Sequence, residues 1–219
     1  MRIKAEIFLK GLKKTINRIA LINSNMTLED FSRHVIVSMN GNCKHLFQLI
    51  LNEEKGYLGP GCYVNYPYDE QMMEDLTLED LELFEEDKLM INYDFKNDWE
   101  IIVKIEKIDE GYYSKDFEII SGTGCGILED CGGIIMLKKI INNNLDDFEK
   151  YILSDRNPKY EEYDINDFNI LTINNNIDEY INNYLELVKP KSYIMNITLS
   201  GFDKEIKRKI SVDSNVKLD

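Results

Sequence analysis

The chain has 219 residues, with 26 Lys and Arg against 40 Asp and Glu, so its formal net charge is −14. Hydrophobic residues make up 43% and charged residues 30%, which fits a globular protein of one or two domains and excludes a disordered chain or a disulfide-dense mini-domain. The net charge disfavours non-specific binding to nucleic acid or to an anionic membrane surface.

Alternating and helical patterns predict the elements of the first half of the chain. Thr27 is the expected N-cap of a helix with Asp30 at its third position, ending near Asn40-Gly41-Asn42. Residues 69–87 hold ten acidic residues and no basic one, and carry a second helix signal at 77–80. Strands are expected at 3–10, 16–22, 45–51, 89–95 and 99–105.

The second half is predicted to be mostly helical, between a strand at 117–120 and two closing strands. A loop rich in Gly and Cys spans 121–133. Helices are expected at 134–143, 145–154 and 177–188, and strands at 193–200 and 206–212. The expected fold is α+β, with a mostly antiparallel or mixed sheet covered by helices.

The closing strands repeat the opening ones. With an offset of 190 and no gap, nine of the 23 residues 7–29 are identical to residues 197–219, Gly11/Gly201 and Arg18/Arg208 among them. We therefore predict a domain at 1–190, followed at 191–219 by a partial repeat of the N-terminal hairpin, a truncated or degenerate second copy. An isolated two-stranded hairpin is marginal in water, so residues 193–212 should dock on residues 1–188 or pair by strand addition with a protein partner, either a second copy or another chain.

The location and targeting of the chain follow from its apolar runs and cysteines. No run approaches the roughly 20 apolar residues of a membrane span, and the first eight residues lack the apolar stretch of a secretory signal. The four cysteines are too few for a disulfide framework at this length. We expect a cytoplasmic protein without membrane association.

Several segments resemble one known family. The shared segments are a Tyr-Asp-Phe-x-x-Asp-Trp-Glu hairpin at 93–100, a Glu-Asp-Cys-Gly-Gly loop at 129–133, and the stretches 9–18, 27–31, 45–47 and 162–168. Their order and spacing are similar to those of the plasmid pRiA ORF-three-like family, over about residues 3–188. The chain departs from the family pattern at Asn17, Ile101 and Ile127-Leu128, where relatives often carry Trp, His and two prolines.

The resemblance implies no known activity, because the family is uncharacterised, although some members are labelled putative resolvases. A resolvase needs a hydroxyl nucleophile and an arginine cluster on a basic surface. The arginines of this chain are scattered through an acidic sequence, at 2, 18, 33, 156 and 208. DNA resolvase activity is therefore disfavoured.

The best candidate binding residues lie in the two specific segments: Asp94, Asp98, Trp99, Glu129 and Asp130. One interpretation is a carboxylate-lined pocket walled by Trp99, which binds a cation or acts as acid and base. The other is structural, with Asp98 accepting turn N–H groups and Trp99 filling the core.

A metal site on sulfur is the weaker hypothesis. Five residues separate Cys125 from Cys131, and Cys43 and His45 are further soft ligands, but the paired Cys-x₂₋₄-Cys spacing of structural zinc is missing. We therefore commit to no metal and no cofactor. His34, the other histidine, is expected at the surface of its helix.

The function expected from the sequence is thus a cytoplasmic protein- or ligand-binding module. The alternative is a small carboxylate- or metal-dependent enzyme that uses the Asp94/Asp98 and Glu129/Asp130 region. Whether the chain is an enzyme stays open at this point, with the binding module favoured.

Overall fold

The computed structural model describes residues 1–62, 69–73, 76–111, 115–188, 192–199 and 206–213. The chain forms two compact units, Met1–Asp178 and Glu179–Asp219.

A mixed sheet of eight strands forms the body of the first unit. In space the strands run in the order β5-β4-β3-β6-β7-β1-β2-β8, antiparallel throughout except for the parallel pair β4–β5. Their bounds are β1 Arg2–Leu9, β2 Asn17–Asn23, β3 Phe47–Leu51, β4 Lys55–Leu58, β5 Asp69–Met72, β6 Lys88–Tyr93, β7 Trp99–Asp109 and β8 Phe117–Thr123.

The described part of the chain also contains four helices, which together with the sheet confirm the α+β class. They are α1 Leu28–Ser38, α2 Gly133–Ile141, α3 Asp147–Arg156 and α4 Ile170–Val188, with short 3₁₀ turns at Glu79–Leu81 and Pro158–Glu162. None of the helices in the described ranges has the length and apolar content to cross a membrane.

Strand alternation decides which face of the sheet is buried. Along β1 the side chains at 3, 5, 7 and 9 are buried, and those between them are half-exposed. The half-exposed positions carry ion pairs with the neighbouring strand, such as Arg2–Asp109 at 2.9 Å and Lys4–Glu106 at 2.8 Å. The predicted opening hairpin and its apolar face are therefore confirmed.

The start of α1 also follows the sequence prediction. Thr27 Oγ1 accepts a hydrogen bond from the Asp30 backbone N–H at 3.0 Å, and Glu29 and Asp30 lie in the first turn, where the helix dipole favours carboxylates.

Three features differ from the sequence prediction. The segment between the predicted strands at 45–51 and 89–95 contains two short strands, β4 and β5, which the sequence analysis does not predict. The helix signal at 77–80 in the acidic run forms only a single 3₁₀ turn at Glu79–Leu81, since Asp80 accepts from the N–H and hydroxyl of Thr77 and closes the turn locally. Helix α4 begins at Ile170, because the Asn169 side chain accepts from the Thr172 N–H at 3.0 Å and caps it.

His34 is buried, with 8% exposure, contrary to the expectation of a surface residue. Its Nδ1 lies 2.6 Å from the Asp30 carbonyl oxygen, and its ring centroid lies 5.3 Å from that of Phe117 in β8. The tertiary contact of α1 with β8 therefore covers a helix position that looks exposed in the sequence.

A buried guanidinium ties several of these elements together. Arg18 in β2 is fully buried and donates to carbonyl oxygens of Asn17, Ser38, Thr123 and Cys125 at 2.6–3.0 Å. Burial lowers its pKa to about 10, so it stays charged at neutral pH. The ring of Phe168 covers it, 4.8 Å from the ring centroid to the guanidinium carbon.

The second unit contains the predicted C-terminal hairpin, with strands β9 (Ser192–Leu199) and β10 (Ile206–Asp213). Its register matches that of β1–β2 under the same offset of 190. Ile7 pairs with Arg18 and Ile197 with Arg208, while Arg2 pairs with Asn23 and Ser192 with Asp213. The duplication and the 1–190/191–219 domain division remain predictions.

Replacing Trp99 tests its place in the core, since it is fully buried and its Nε1 has no hydrogen-bond partner among the described residues. Trp99→Ala should lower the free energy of unfolding by about 3–5 kcal/mol. Trp99→Phe should cost clearly less, because it removes an unpaired donor and leaves a smaller cavity. Urea denaturation measures both; a loss below about 1 kcal/mol for Trp99→Ala would contradict the core position.

The burial of His34 predicts a pH dependence of stability. Burial is the largest influence and lowers the pKa of His34 below its ordinary value, while Asp30, Asp116 and Asp178 act in the opposite direction. The unfolded chain then binds the proton more readily, so stability is full above about pH 6.5 and falls as the pH drops below it. In His34→Asn, whose amide can still donate to the Asp30 carbonyl, denaturation between pH 7 and 5 should show a shallower fall than in the wild type.

Candidate functional site

The loop between β6 and β7 holds a buried carboxylate in a strained backbone conformation. Asp94 has φ 55° and is 3% exposed. Its carbonyl oxygen accepts from the N–H groups of Asn97 and Asp98, and its carboxylate accepts from the Lys96 N–H and the Asn97 side-chain amide. Asp94 itself therefore closes the five-residue loop, the role that the structural interpretation gave to Asp98.

His45 is brought beside Asp94 by the register of β3 and β6. Phe47 pairs with Tyr93, and the Asp94 N–H donates to the Leu46 carbonyl oxygen at 2.9 Å, which extends the pairing by one residue. The next residue back along the chain is His45, whose Nε2 lies 3.8 Å from Asp94 Oδ2.

The Glu-Asp-Cys-Gly-Gly loop packs against the same hairpin. Gly133 has φ 79°, and a Cβ atom there would lie 2.2 Å from the Asn97 carbonyl oxygen, so only glycine permits this approach. At the other end of the loop, Ile127 N–H donates to the Met39 carbonyl oxygen at 2.7 Å, which fixes the loop to the end of α1. These contacts place Glu129 above the hairpin.

The carboxylate of Glu129 has two unlike oxygens. Oε1 accepts from the Asn42 N–H at 2.7 Å and from the Tyr93 hydroxyl at 2.8 Å. Oε2 is buried, has no hydrogen-bond partner among the described residues, and lies 4.0 Å from His45 Nε2. Burial, followed by the charge of Glu129, raises the pKa of Tyr93, so this phenol remains a donor.

The three side chains form a compact cluster of possible metal ligands. The ligand atoms of His45, Asp94 and Glu129 all lie within 4.8 Å of one another. Ligands held about 2.0–2.1 Å from a tetrahedral zinc are roughly 3.3 Å apart, so a small inward movement would let all three reach one ion. A buried carboxylate oxygen without a hydrogen bond is costly unless paired, and a cation would supply that partner.

The other residues that the sequence singled out lie outside this cluster. Asp98 and Asp130 are exposed, and the Asp98 carboxylate accepts from the Asn92 side-chain amide at 3.1 Å. Trp99 is fully buried in the sheet core rather than forming a pocket wall. The structure thus brings together Asp94 and Glu129 of the five candidates.

The cysteines belong to other surroundings. Neither Cys125 nor Cys131 is a member of the cluster. Burial raises the pKa of the Cys131 thiol to about 12, and its Sγ lies 3.6 Å from the Gly133 carbonyl oxygen. Burial also raises the pKa of Cys125, whose sulfur accepts from the Asn40 amide. Neither thiol is therefore more acidic than an ordinary cysteine.

Sequence reasoning paired His45 with the cysteines and did not connect it to Asp94 and Glu129. It also did not single out Asn42 and Tyr93, which hold Glu129 in place. These residues could have been found from the sequence because all of them lie in or next to the family segments 45–47, 93–100 and 129–133. The three segments are far apart in sequence but meet at one corner of the sheet.

The fold and site define an α+β protein with a mixed sheet. The loop between β6 and β7 and the Glu-Asp-Cys-Gly-Gly loop meet at a cluster of His45, Asp94 and Glu129. Residues 2–172 match the model of the plasmid pRiA4b ORF-3-like protein family. The chain belongs to this family, in agreement with the resemblance seen in its sequence.

A solved structure shares the fold. The crystal structure of MM3350, a protein of unknown function from Methanosarcina mazei Go1, matches with a TM-score of 0.57 at 17% identity, over 78% of this chain and 94% of that one. No curated protein gives a significant match. The family and the similar structure leave the function unknown.

The variant Glu129→Gln tests whether the Glu129 carboxylate serves as a ligand or only holds its loop in place. Glutamine keeps an Oε1 that can accept from Asn42 and Tyr93, and it removes the buried charge near Asp94. We therefore expect a free energy of unfolding equal to or higher than that of the wild type in metal-free buffer. A large loss of stability in chemical denaturation would instead show that the negative charge of Glu129 holds the loop.

Proposed function

We propose that this protein is a ligand-binding module whose ligand is a divalent transition-metal ion held by His45, Asp94 and Glu129. The observation that carries the proposal is the buried Glu129 Oε2, which lacks a hydrogen-bond partner among the described residues and faces an imidazole nitrogen at 4.0 Å.

The donor types narrow the class of metal. One imidazole nitrogen and two carboxylate oxygens suit zinc and its first-row neighbours better than calcium or magnesium, which prefer all-oxygen sites. Tyr93 and the Asn42 N–H support this interpretation, because hydrogen bonds to the far side of a ligating carboxylate orient it and tune its affinity.

A metal-dependent enzyme is the second candidate, and one observation favours it. Three protein ligands leave a coordination position for water or substrate, as in catalytic rather than structural zinc sites. The His45 side chain is 36% exposed, so solvent can approach the cluster from its side. In that case His45, Asp94 and Glu129 would hold the ion, and the ion would supply a bound water of lowered pKa.

The same proposal includes a protein partner at the hairpin of residues 193–212, and a cytoplasmic location. The four cysteines are too few for a disulfide framework at this length, which supports a reducing compartment. The net charge of −14 supports a partner other than nucleic acid.

Zinc titration tests the metal proposal. Calorimetry or competition with a chromophoric chelator should give one ion per wild-type chain. At about 100 times Kd the ion should stabilise the fold by about 2.7 kcal/mol, read as a rise in melting temperature. His45→Ala and Glu129→Gln should abolish both effects, and Tyr93→Phe should weaken binding about tenfold by freeing the Glu129 carboxylate.

Two matched controls keep this experiment specific. His34→Asn removes the other histidine, and Asp98→Asn removes an exposed carboxylate of the same hairpin; both should bind zinc like the wild type. Binding that survives in His45→Ala and Glu129→Gln, or that is lost equally in the controls, would overturn the proposal.

A further inference from the structure

The strands of the C-terminal hairpin correspond one to one with those of the opening hairpin. Because the registers coincide under the offset of 190, β9 is the counterpart of β1 and β10 that of β2. In the first unit β1 also pairs with β7, and β2 with β8. In the part of the chain that the structure describes, β9 and β10 form a sheet of their own. The counterparts of β9 and β10 are therefore inner strands of a larger sheet.

The hairpin does not fit the place that β1–β2 occupy. Ala5 and Ala20 pair directly in the first unit and are both fully buried. Their counterparts are Met195 and Ile210, which also pair directly. Putting two large residues where two alanines lie side by side would overpack that core. This overpacking disfavours an exchange of the two hairpins between copies and favours a different neighbour for the C-terminal hairpin.

The charges of the two strands differ sharply. Strand β9 contains no charged residue, whereas its counterpart β1 carries Arg2, Lys4 and Glu6. Strand β10 carries Lys207, Arg208, Lys209 and Asp213. Charged residues, lysine above all, are the usual protection of an edge strand against pairing. Strand β10 is protected in this way and β9 is not.

We propose that β9 pairs antiparallel with β9 of a second copy of this chain, so that two hairpins form one four-stranded sheet. A two-fold axis between the copies pairs β9 of one copy with β9 of the other. Because β9 has no charged residue, this pairing causes no charge repulsion. The same pairing through β10 would bring two basic clusters together. Four strands also exceed the two that are marginal in water. This inference names the partner in the proposal above and is independent of the metal site.

Sedimentation equilibrium of the full chain, with and without zinc, tests the inference. The average mass of the wild type should rise with concentration and approach that of two chains. Asn196→Lys places a charge on β9 at the position equivalent to Glu6, which is partly exposed in β1, and should give a monomer at the same concentrations. Ser211→Lys places the same charge on β10, at the position equivalent to the partly exposed Leu21, and should remain dimeric.

A wild type that is monomeric at all concentrations overturns the inference, as does an Asn196→Lys variant that remains dimeric or a Ser211→Lys variant that dissociates equally. Circular dichroism and the zinc titration are measured on the same preparations. Unchanged spectra and zinc binding in a monomeric Asn196→Lys show that the loss of dimer is not loss of fold. Failure of zinc binding in a dimeric wild type would remove the metal proposal alone.

Discussion

The position of the site depends on how Arg18 is buried. Its guanidinium has no carboxylate partner among the described residues and is satisfied by carbonyl oxygens from β2, from the end of α1, and from the end of β8 with the loop after it. A buried charge is tolerated only where such donors are paired, so the three chain segments must converge on it. The convergence fixes the end of α1 next to the loop that leads to Glu129. An Arg is suited to this role because its planar group donates in several fixed directions at once.

The candidate metal site lies at the far end of the two segments that Arg18 holds together. From Ser38 and Cys125 the chain runs on to Asn42 and Glu129, which are joined by a hydrogen bond of 2.7 Å. The hairpin supplies Tyr93 and Asp94, and the close approach of Gly133 to Asn97 fixes its distance from the loop. Preorganised ligands on rigid elements are what a metal site requires. The same rigidity explains how Glu129 Oε2 can remain buried without a hydrogen-bond partner among the described residues.

At position 129, the side chain that is best for stability differs from the one that is best for binding a ligand. A glutamine at 129 could keep both hydrogen bonds of Oε1 without a buried charge. A binding site, in contrast, benefits from a carboxylate whose partner is the ligand, because the cost of burying it is then recovered on binding. Such locally unfavourable groups are expected at functional sites, where a fold departs from what is best for its own stability.

The sequence by itself determined the α+β class, the strand alternation of β1 and β2, the capping of α1 by Thr27, and the two loop segments that carry Asp94 and Glu129. These follow from local periodicity and short-range hydrogen bonding, which neighbouring residues decide. Only the tertiary structure decided that His45 joins these carboxylates, that His34 is buried against β8, and that Asp98 and Asp130 stay outside the cluster. The physical reason is that such outcomes depend on the register between strands far apart in sequence, and on a loop held by Arg18 and Gly133, which no local pattern specifies.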